Sequence, residues 1–173
     1  LYGRHLHDKR ARLAQPMDRD LRDRPPESTR SLIALLKAPG DIDLSAIETA
    51  LQTLPVTEEN LGDAVHQDED AYVRTLLYRD ARCEVLVLTW LNGQRSPLHD
   101  HGAAECVMRV VSGELTEKLY REREEGAAKR EHMTRTLRPG TVTLTRAGML
   151  HALSNESDEP LVTLHVYTPP LQH

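Results

Sequence analysis

The chain has 173 residues, 39% of them hydrophobic and 28% charged, which suits one globular core and is too little for two full-sized domains. With 22 Lys+Arg against 27 Asp+Glu the formal net charge is −5, the wrong sign for non-specific binding to a phosphate backbone. One Trp, five Tyr and no Phe leave few rings for base stacking, so the core must rest on Leu, Val, Ile, Met and Ala.

Residues 1–30 are dense in Arg and Asp, are interrupted by Pro25 and Pro26, and show thin apolar periodicity. A poorly ordered or loosely packed extension is expected there. The opening LYGRHLHDKRAR is charged rather than signal-like, and no apolar run approaches the roughly 18 to 20 residues that cross a bilayer. Two cysteines, Cys83 and Cys106, are too few for a secreted disulfide framework, so a reducing cytoplasm is the expected compartment.

Residues 31–173 read as a single domain. Over about 31–66 the pattern is helical: Leu32, Ile33, Leu35 and Leu36 cluster, and Ile47, Leu51 and Leu54 recur at helical spacing after the candidate caps Asp43 and Ser45. Thr57 with Glu58 and Glu59 behind it predicts a further helix start. From about residue 70 onward, short β-branched runs bounded by Gly, Pro, Asn and Asp follow one another, at 72–78, 83–90, 105–111, 115–121, 134–137, 141–145 and 161–167. Their spacing predicts a sandwich or barrel rather than βαβ units. The expectation is a small helical cap on a β-barrel, with no nucleic-acid or membrane partner and a monomeric state.

The histidines are the informative residues. His99 and His101 flank Asp100, and in a strand residues two apart point to one side, so this pair can present two imidazoles to one metal. His151, after the Gly148-Met149-Leu150 turn at the start of a strand, can close the site. Taken alone, a His-x-His pair is more often a surface pair than a ligand set. Parity decides a further point: Cys106, Met108 and Val110 form an apolar alternating set that belongs inside, which turns Glu105 away from any metal. Three neutral imidazoles leave a divalent ion at full charge and favour an anionic substrate, such as a thiolate; zinc also accepts three histidines plus water.

The surrounding spacing resembles the two motifs of the cupin superfamily. The first runs Gly93, five residues, His99, one residue, His101, four residues, Cys106, six residues, Gly113; the second runs from Gly140 through Gly148 and His151 to Asn155. Arg146 stands where cupins usually carry Pro, and Cys106 where they usually carry a metal-binding Glu. The resemblance implies a mainly β fold, a cupin-type small β-barrel of double-stranded β-helix or jelly-roll form with short N-terminal helices.

More specifically, Tyr72-Val73-Arg74, Leu98-His99-Asp100-His101, Cys106, Gly148-Met149-Leu150-His151 and Leu164-His165-Val166-Tyr167-Thr168-Pro169-Pro170 resemble cysteine dioxygenase. The resemblance implies one Fe(II) held by His99, His101 and His151, and addition of both atoms of O2 to the sulfur of L-cysteine to give cysteine sulfinic acid. It implies that Arg74 binds the substrate carboxylate beside Tyr72, and that Tyr167, oriented by His165 with Thr163 behind it, serves the reaction. Guanidinium and carboxylate suit each other geometrically. Cys106 and Tyr167 match a pair that forms a thioether crosslink. A cis bond at Thr168–Pro169 is also suggested.

Within the class, a 3-mercaptopropionate dioxygenase is the rival, although its members typically carry Gln at the Arg74 position. From other classes come a non-catalytic metal- or ligand-binding cupin and a zinc or manganese isomerase or lyase. Cys83 reads as core, Trp90 as packing at the barrel rim, and His66, His132 and His173 as solvated.

Overall fold

The computed structural model describes residues 17–121 and 128–172. A helical layer comes first in sequence. A 3-10 turn at Glu27–Thr29 runs into α1 (Arg30–Lys37), followed by α2 (Leu44–Thr53) and α3 (Glu58–Leu61). The starts follow from side-chain chemistry: the Asp43 carboxylate accepts from Ser45 N at 2.9 Å, and Thr57 forms a capping box with Asn60, satisfying amides that have no partner within the helix. Leu32, Ile33 and Leu36 turn inward, whereas Leu35 is 39% exposed. The expected cluster therefore loses one member, because a rotation of roughly 100° per residue carries Leu35 off the buried face.

Among the described residues nine strands follow or flank this layer: β1 (Met17–Asp20), β2 (Val73–Arg79), β3 (Glu84–Trp90), β4 (Glu105–Ser112), β5 (Leu115–Arg121), β6 (Arg130–Leu137), β7 (Val142–Thr145), β8 (Leu150–Ser154) and β9 (Leu161–Thr168). They form a six-stranded sheet in the order β1-β2-β3-β9-β4-β7 and a three-stranded sheet in the order β6-β5-β8. The two sheets face each other and do not close into one hydrogen-bonded cylinder; isolated bridges at Arg95–Ser154 and His99–His151 lie outside the named strands. This is the architecture of a double-stranded β-helix.

The central strands β3 and β9 of the large sheet are buried on both sides, so they read as nearly continuous apolar runs. Val85, Val87, Val107, Val162, Leu164 and Val166 join Leu32, Leu36, Ile47 and Leu51 in one cluster. On the other face Leu86, Leu88, Trp90, Met108, Val110 and Leu161 meet Leu115, Leu137 and Leu153 of the small sheet. The candidate site lies in this second layer, between the sheets.

The N-terminal expectation needs correction over its described part. Met17–Asp20 is a strand parallel to β2, in register from Met17–Val73 to Asp20–Leu76; Leu21 N donates to Leu76 O at 2.8 Å, and Thr29 is fully buried. A four-residue, charge-rich edge strand has no alternation to show, because backbone hydrogen bonds to its neighbour define it. Residues 1–16 lie outside the described residues. Strand β6 begins at Arg130, earlier than the run at 134–137, and β8 was expected only as the strand that His151 begins.

Gly113, between β4 and β5, has φ +76°, and a Cβ there would collide with the Pro160 carbonyl oxygen and Leu161 Cα. Glycine is therefore required at this close approach. Beyond β9 the Thr168–Pro169 bond is cis, the isomer that the family resemblance implied. Glu84, fully buried, accepts from Arg79 at 2.9 Å and from Leu171 N at 3.0 Å. Arg79 also donates to Leu171 O at 3.0 Å, so this pair clasps the end of the chain against the sheet.

Candidate metal centre

His99 and His101 lie in the loop between β3 and β4, and His151 is the second residue of β8. The His99–His151 bridge, with amide-to-carbonyl distances of 3.0 and 2.9 Å, ties the loop to the strand. One ligating nitrogen from each of His99, His101 and His151 lies within 4.8 Å of the other two. The three histidines singled out in the sequence are thus brought together from two separate segments. Among the described residues no carboxylate joins them. Glu105 points away and pairs with Arg146 at 3.1 Å, as strand parity predicts.

The hydrogen bonds assign roles to individual nitrogens. His99 Nδ1 lies 2.8 Å from the Pro97 carbonyl, and His151 Nδ1 lies 3.0 Å from Glu117 Oε1. An acceptor at Nδ1 holds the ring proton there and leaves the Nε2 lone pair for the centre. His101 Nε2 faces His151 Nε2 at 3.2 Å. Two bare lone pairs at that distance repel, so the arrangement requires a proton or a cation between them. A divalent cation accepting both lone pairs fits this donor set.

Electrostatics point the same way. Burial, reinforced by the neighbouring His151 and His99, pushes His101 down to about 3, and burial also lowers His99. Imidazoles held neutral are ligands rather than stored positive charge. Glu117 is 1% exposed; burial pulls its carboxyl upward, but bonds from His151 and Arg135 outweigh that and leave it below the ordinary value. Arg135 reaches Glu117 Oε2 through Nε at 2.7 Å and through NH2 at 2.6 Å. Arg135, Glu117 and His151 therefore form one line of charge-assisted bonds that fixes the third imidazole.

Sequence reasoning missed Glu117 and Arg135. One signal was present: Leu115, Glu117 and Leu119 share a strand face, so a carboxylate sits among residues bound for the interior. Nothing in one sequence pairs Glu117 with His151, since β5 and β8 meet only through folding.

Tyr167, His165 and Thr163 follow one another along the inner face of β9. Cys106 stands directly opposite Tyr167 in the β4–β9 register. Tyr167 Oη lies 3.2 Å and Cys106 Sγ 3.7 Å from His165 Nδ1, while His165 Nε2 lies 2.8 Å from Thr163 Oγ1. The Tyr167 ring stands edge-on to His101, with centroids 5.1 Å apart, which brings the phenol beside the cluster. Burial raises Tyr167 and Cys106 and lowers His165, so all three are neutral in the metal-free protein.

Arg74 lies on β2 opposite Leu88, and its charge acts on both His165 and Tyr167. Tyr72 stacks on Trp90 with ring centroids 4.1 Å apart. Trp90 is packed, being 1% exposed, but its indole also donates to Thr163 Oγ1 at 3.1 Å. Cys83 is core, His132 is exposed, His66 is half-buried, and His173 lies outside the described residues.

Two facing sheets around three converging imidazoles define a metal-binding cupin. Solved structures share the fold: a Klebsiella pneumoniae protein with a double-stranded β-helix domain is 20% identical with a TM-score of 0.52, over 62% of this chain and 80% of that one. A cupin superfamily protein from Desulfitobacterium hafniense is 14% identical with a TM-score of 0.51, over 65% and 93%.

The family itself is established by sequence. The model of the family cysteine dioxygenase type I matches residues 40–173, and the chain belongs to that family. Cysteine dioxygenase type 1 of Rattus norvegicus is 26% identical over 155 residues, covering 84% of this chain and 76% of the relative. Family and site together support a thiol dioxygenase. Among the described residues no helix is long and apolar enough to cross a membrane.

Proposed function

We propose that this protein is a non-haem Fe(II) enzyme that adds both atoms of O2 to the thiol of L-cysteine, giving cysteine sulfinic acid. The observation that carries the reading is the cluster of three imidazoles with no carboxylate, faced by the Tyr167 phenol. Fe(II) held by His99, His101 and His151, one per chain, supplies the redox chemistry with O2 and favours the thiolate form of the substrate.

The chain's own groups do the rest. The Arg74 guanidinium offers the planar donor set that an α-carboxylate accepts. Tyr72, seated on Trp90, forms the wall beside it. Tyr167 supplies a neutral phenol at the centre, and His165 with Thr163 fixes its direction. The sheets on either side exclude water, which strengthens each of these interactions. Cys106, opposite Tyr167 in the β4–β9 register, forms a thioether bond to the ring carbon beside the phenol hydroxyl. One hydrogen leaves the thiol and one leaves the ring, and both pass with their two electrons to O2, which leaves as hydrogen peroxide. A monomer working in the reducing cytoplasm, with a small thiol and O2 as its partners, completes the proposal; both cysteines are free and buried.

Oxygen uptake by anaerobically Fe(II)-loaded protein, with the product identified by mass, tests the activity. One O2 consumed per sulfinate formed from L-cysteine is expected. Uptake with 3-mercaptopropionate alone would discard L-cysteine as substrate, and silence with every thiol would discard the dioxygenase. Arg74→Gln should raise KM for cysteine far more than for 3-mercaptopropionate; equal effects remove Arg74 as selector. After turnover, a mass loss of two hydrogens mapping to a Cys106–Tyr167 peptide pair is expected, against a freely alkylatable Cys106 if no bond forms.

A further inference from the structure

Trp90, the one tryptophan in the chain, has a role that packing does not exhaust. Its indole N–H is a donor with no capacity to accept, and it is spent on Thr163 Oγ1 at 3.1 Å in a fully buried setting. The hydroxyl has one hydrogen of its own, and its other described partner is His165 Nε2 at 2.8 Å. The indole can only donate, so of the two described partners Nε2 is the one that can accept the Thr163 hydrogen.

A neutral imidazole carries one N–H, so accepting at Nε2 places the ring proton on Nδ1. That Nδ1–H then donates to Tyr167 Oη at 3.2 Å. The phenol has become an acceptor toward His165, and its own hydrogen is no longer drawn to the imidazole; it is free to turn from Cys106 to the centre, on the side where the ring stands against His101. In the opposite tautomer the Tyr167 hydrogen would be consumed by a bare Nδ1, and the phenol would offer the centre lone pairs alone.

We propose that Trp90 is a positioning residue that sets the direction of the Trp90–Thr163–His165–Tyr167 hydrogen-bond chain, so that Tyr167 presents its O–H to the metal centre. Tyr72, stacked on the indole at 4.1 Å, holds the ring in the plane that the bond requires. The chain is drawn from two strands: Trp90 ends β3, and the other three alternate along β9. It joins the residue beneath Tyr72 to the phenol beside the cluster without a break longer than 3.2 Å. The catalytic consequence rests on the dioxygenase reading; the proton order does not.

Histidine-selective 15N labelling of the metal-free protein, with long-range proton–nitrogen correlation, reports which ring nitrogen carries the proton. The His165 signal is identified by its loss in His165→Asn. The expected result is a proton on Nδ1 in the wild type and a tautomer shifted toward Nε2 in Trp90→Phe, which keeps the ring against Tyr72 but removes the donor. Thr163→Val, which removes the hydroxyl, should shift it likewise. A wild-type proton on Nε2, or Nδ1–H unchanged in Trp90→Phe, would overturn the proposal. With Fe(II) and cysteine, Trp90→Phe should lower kcat about tenfold with KM nearly unchanged, the scale of one lost oriented hydrogen bond; a change in KM alone contradicts the proposal. Because the spectra are taken without metal, they decide the proton order whether or not the loaded protein consumes O2.

Discussion

Strand β9 presents two faces to two different environments. Val162, Leu164 and Val166 turn to the helices, where they pack among Leu32, Leu36, Ile47 and Leu51. Thr163, His165 and Tyr167 turn to the small sheet, equally buried, and carry polar atoms satisfied by one another and by Trp90. Burial alone therefore does not distinguish scaffold from site. What distinguishes them is that the scaffold face gains from dispersion and water exclusion, whereas the site face has to close every hydrogen bond to be tolerated.

The sharpest way to break the symmetry is on the site side. His151→Ala should abolish metal retention, read by elemental analysis, and oxygen uptake with it, at several kcal/mol of lost transition-state stabilisation, while the metal-free protein still folds and loses only about 1–3 kcal/mol, the cost of an unpartnered Glu117 oxygen. Leu164→Ala should do the reverse. Removing a fully buried Leu costs about 2–5 kcal/mol of stability by chemical denaturation, with metal binding retained in the folded fraction. A loss of metal affinity equal to that of His151→Ala would show that the two faces are not separable.

A smaller effect sharpens the comparison. Glu117→Gln keeps the shape but weakens the bonds to His151 and Arg135, and should lower metal affinity by about 10–100-fold in a competition titration. Unchanged affinity would reduce the Arg135–Glu117 pair to scaffold.

The smallest effect concerns the turn joining β2 to β3. Burial raises the Asp80 carboxyl, but bonds from Arg82, Cys83 and Tyr78 outweigh it and hold it at about 2. A carboxyl held below its ordinary value of about 3.9 stabilises the fold fully above that pH, and the contribution is lost as pH falls toward 2. The stability gap between wild type and Asp80→Asn should therefore narrow between about pH 4 and pH 2. A gap that stays constant would remove Asp80 as the cause.

Local pattern made much of this legible. Alternation placed Cys106, Met108 and Val110 inside and Glu105 outside, and the structure pairs Glu105 with Arg146. Helix starts at Asp43 and Thr57 followed from the residues themselves. The His99–His101 spacing and the motif around His151 marked the three imidazoles that the fold brings together. β1 was illegible, because its pairing is made by backbone atoms that every residue carries alike.

By itself, then, the sequence determined the helical cap, most of the strands, the inward and outward faces of β4, and the ligand types on offer. Each depends on periodicity and on residue chemistry, which are local. Only the tertiary structure decided that Glu117 orients His151, that Arg135 holds Glu117, and that Trp90 donates to Thr163. These are single distances between segments 18 to 73 residues apart, fixed by how two sheets face each other, and no local pattern encodes a distance of that kind.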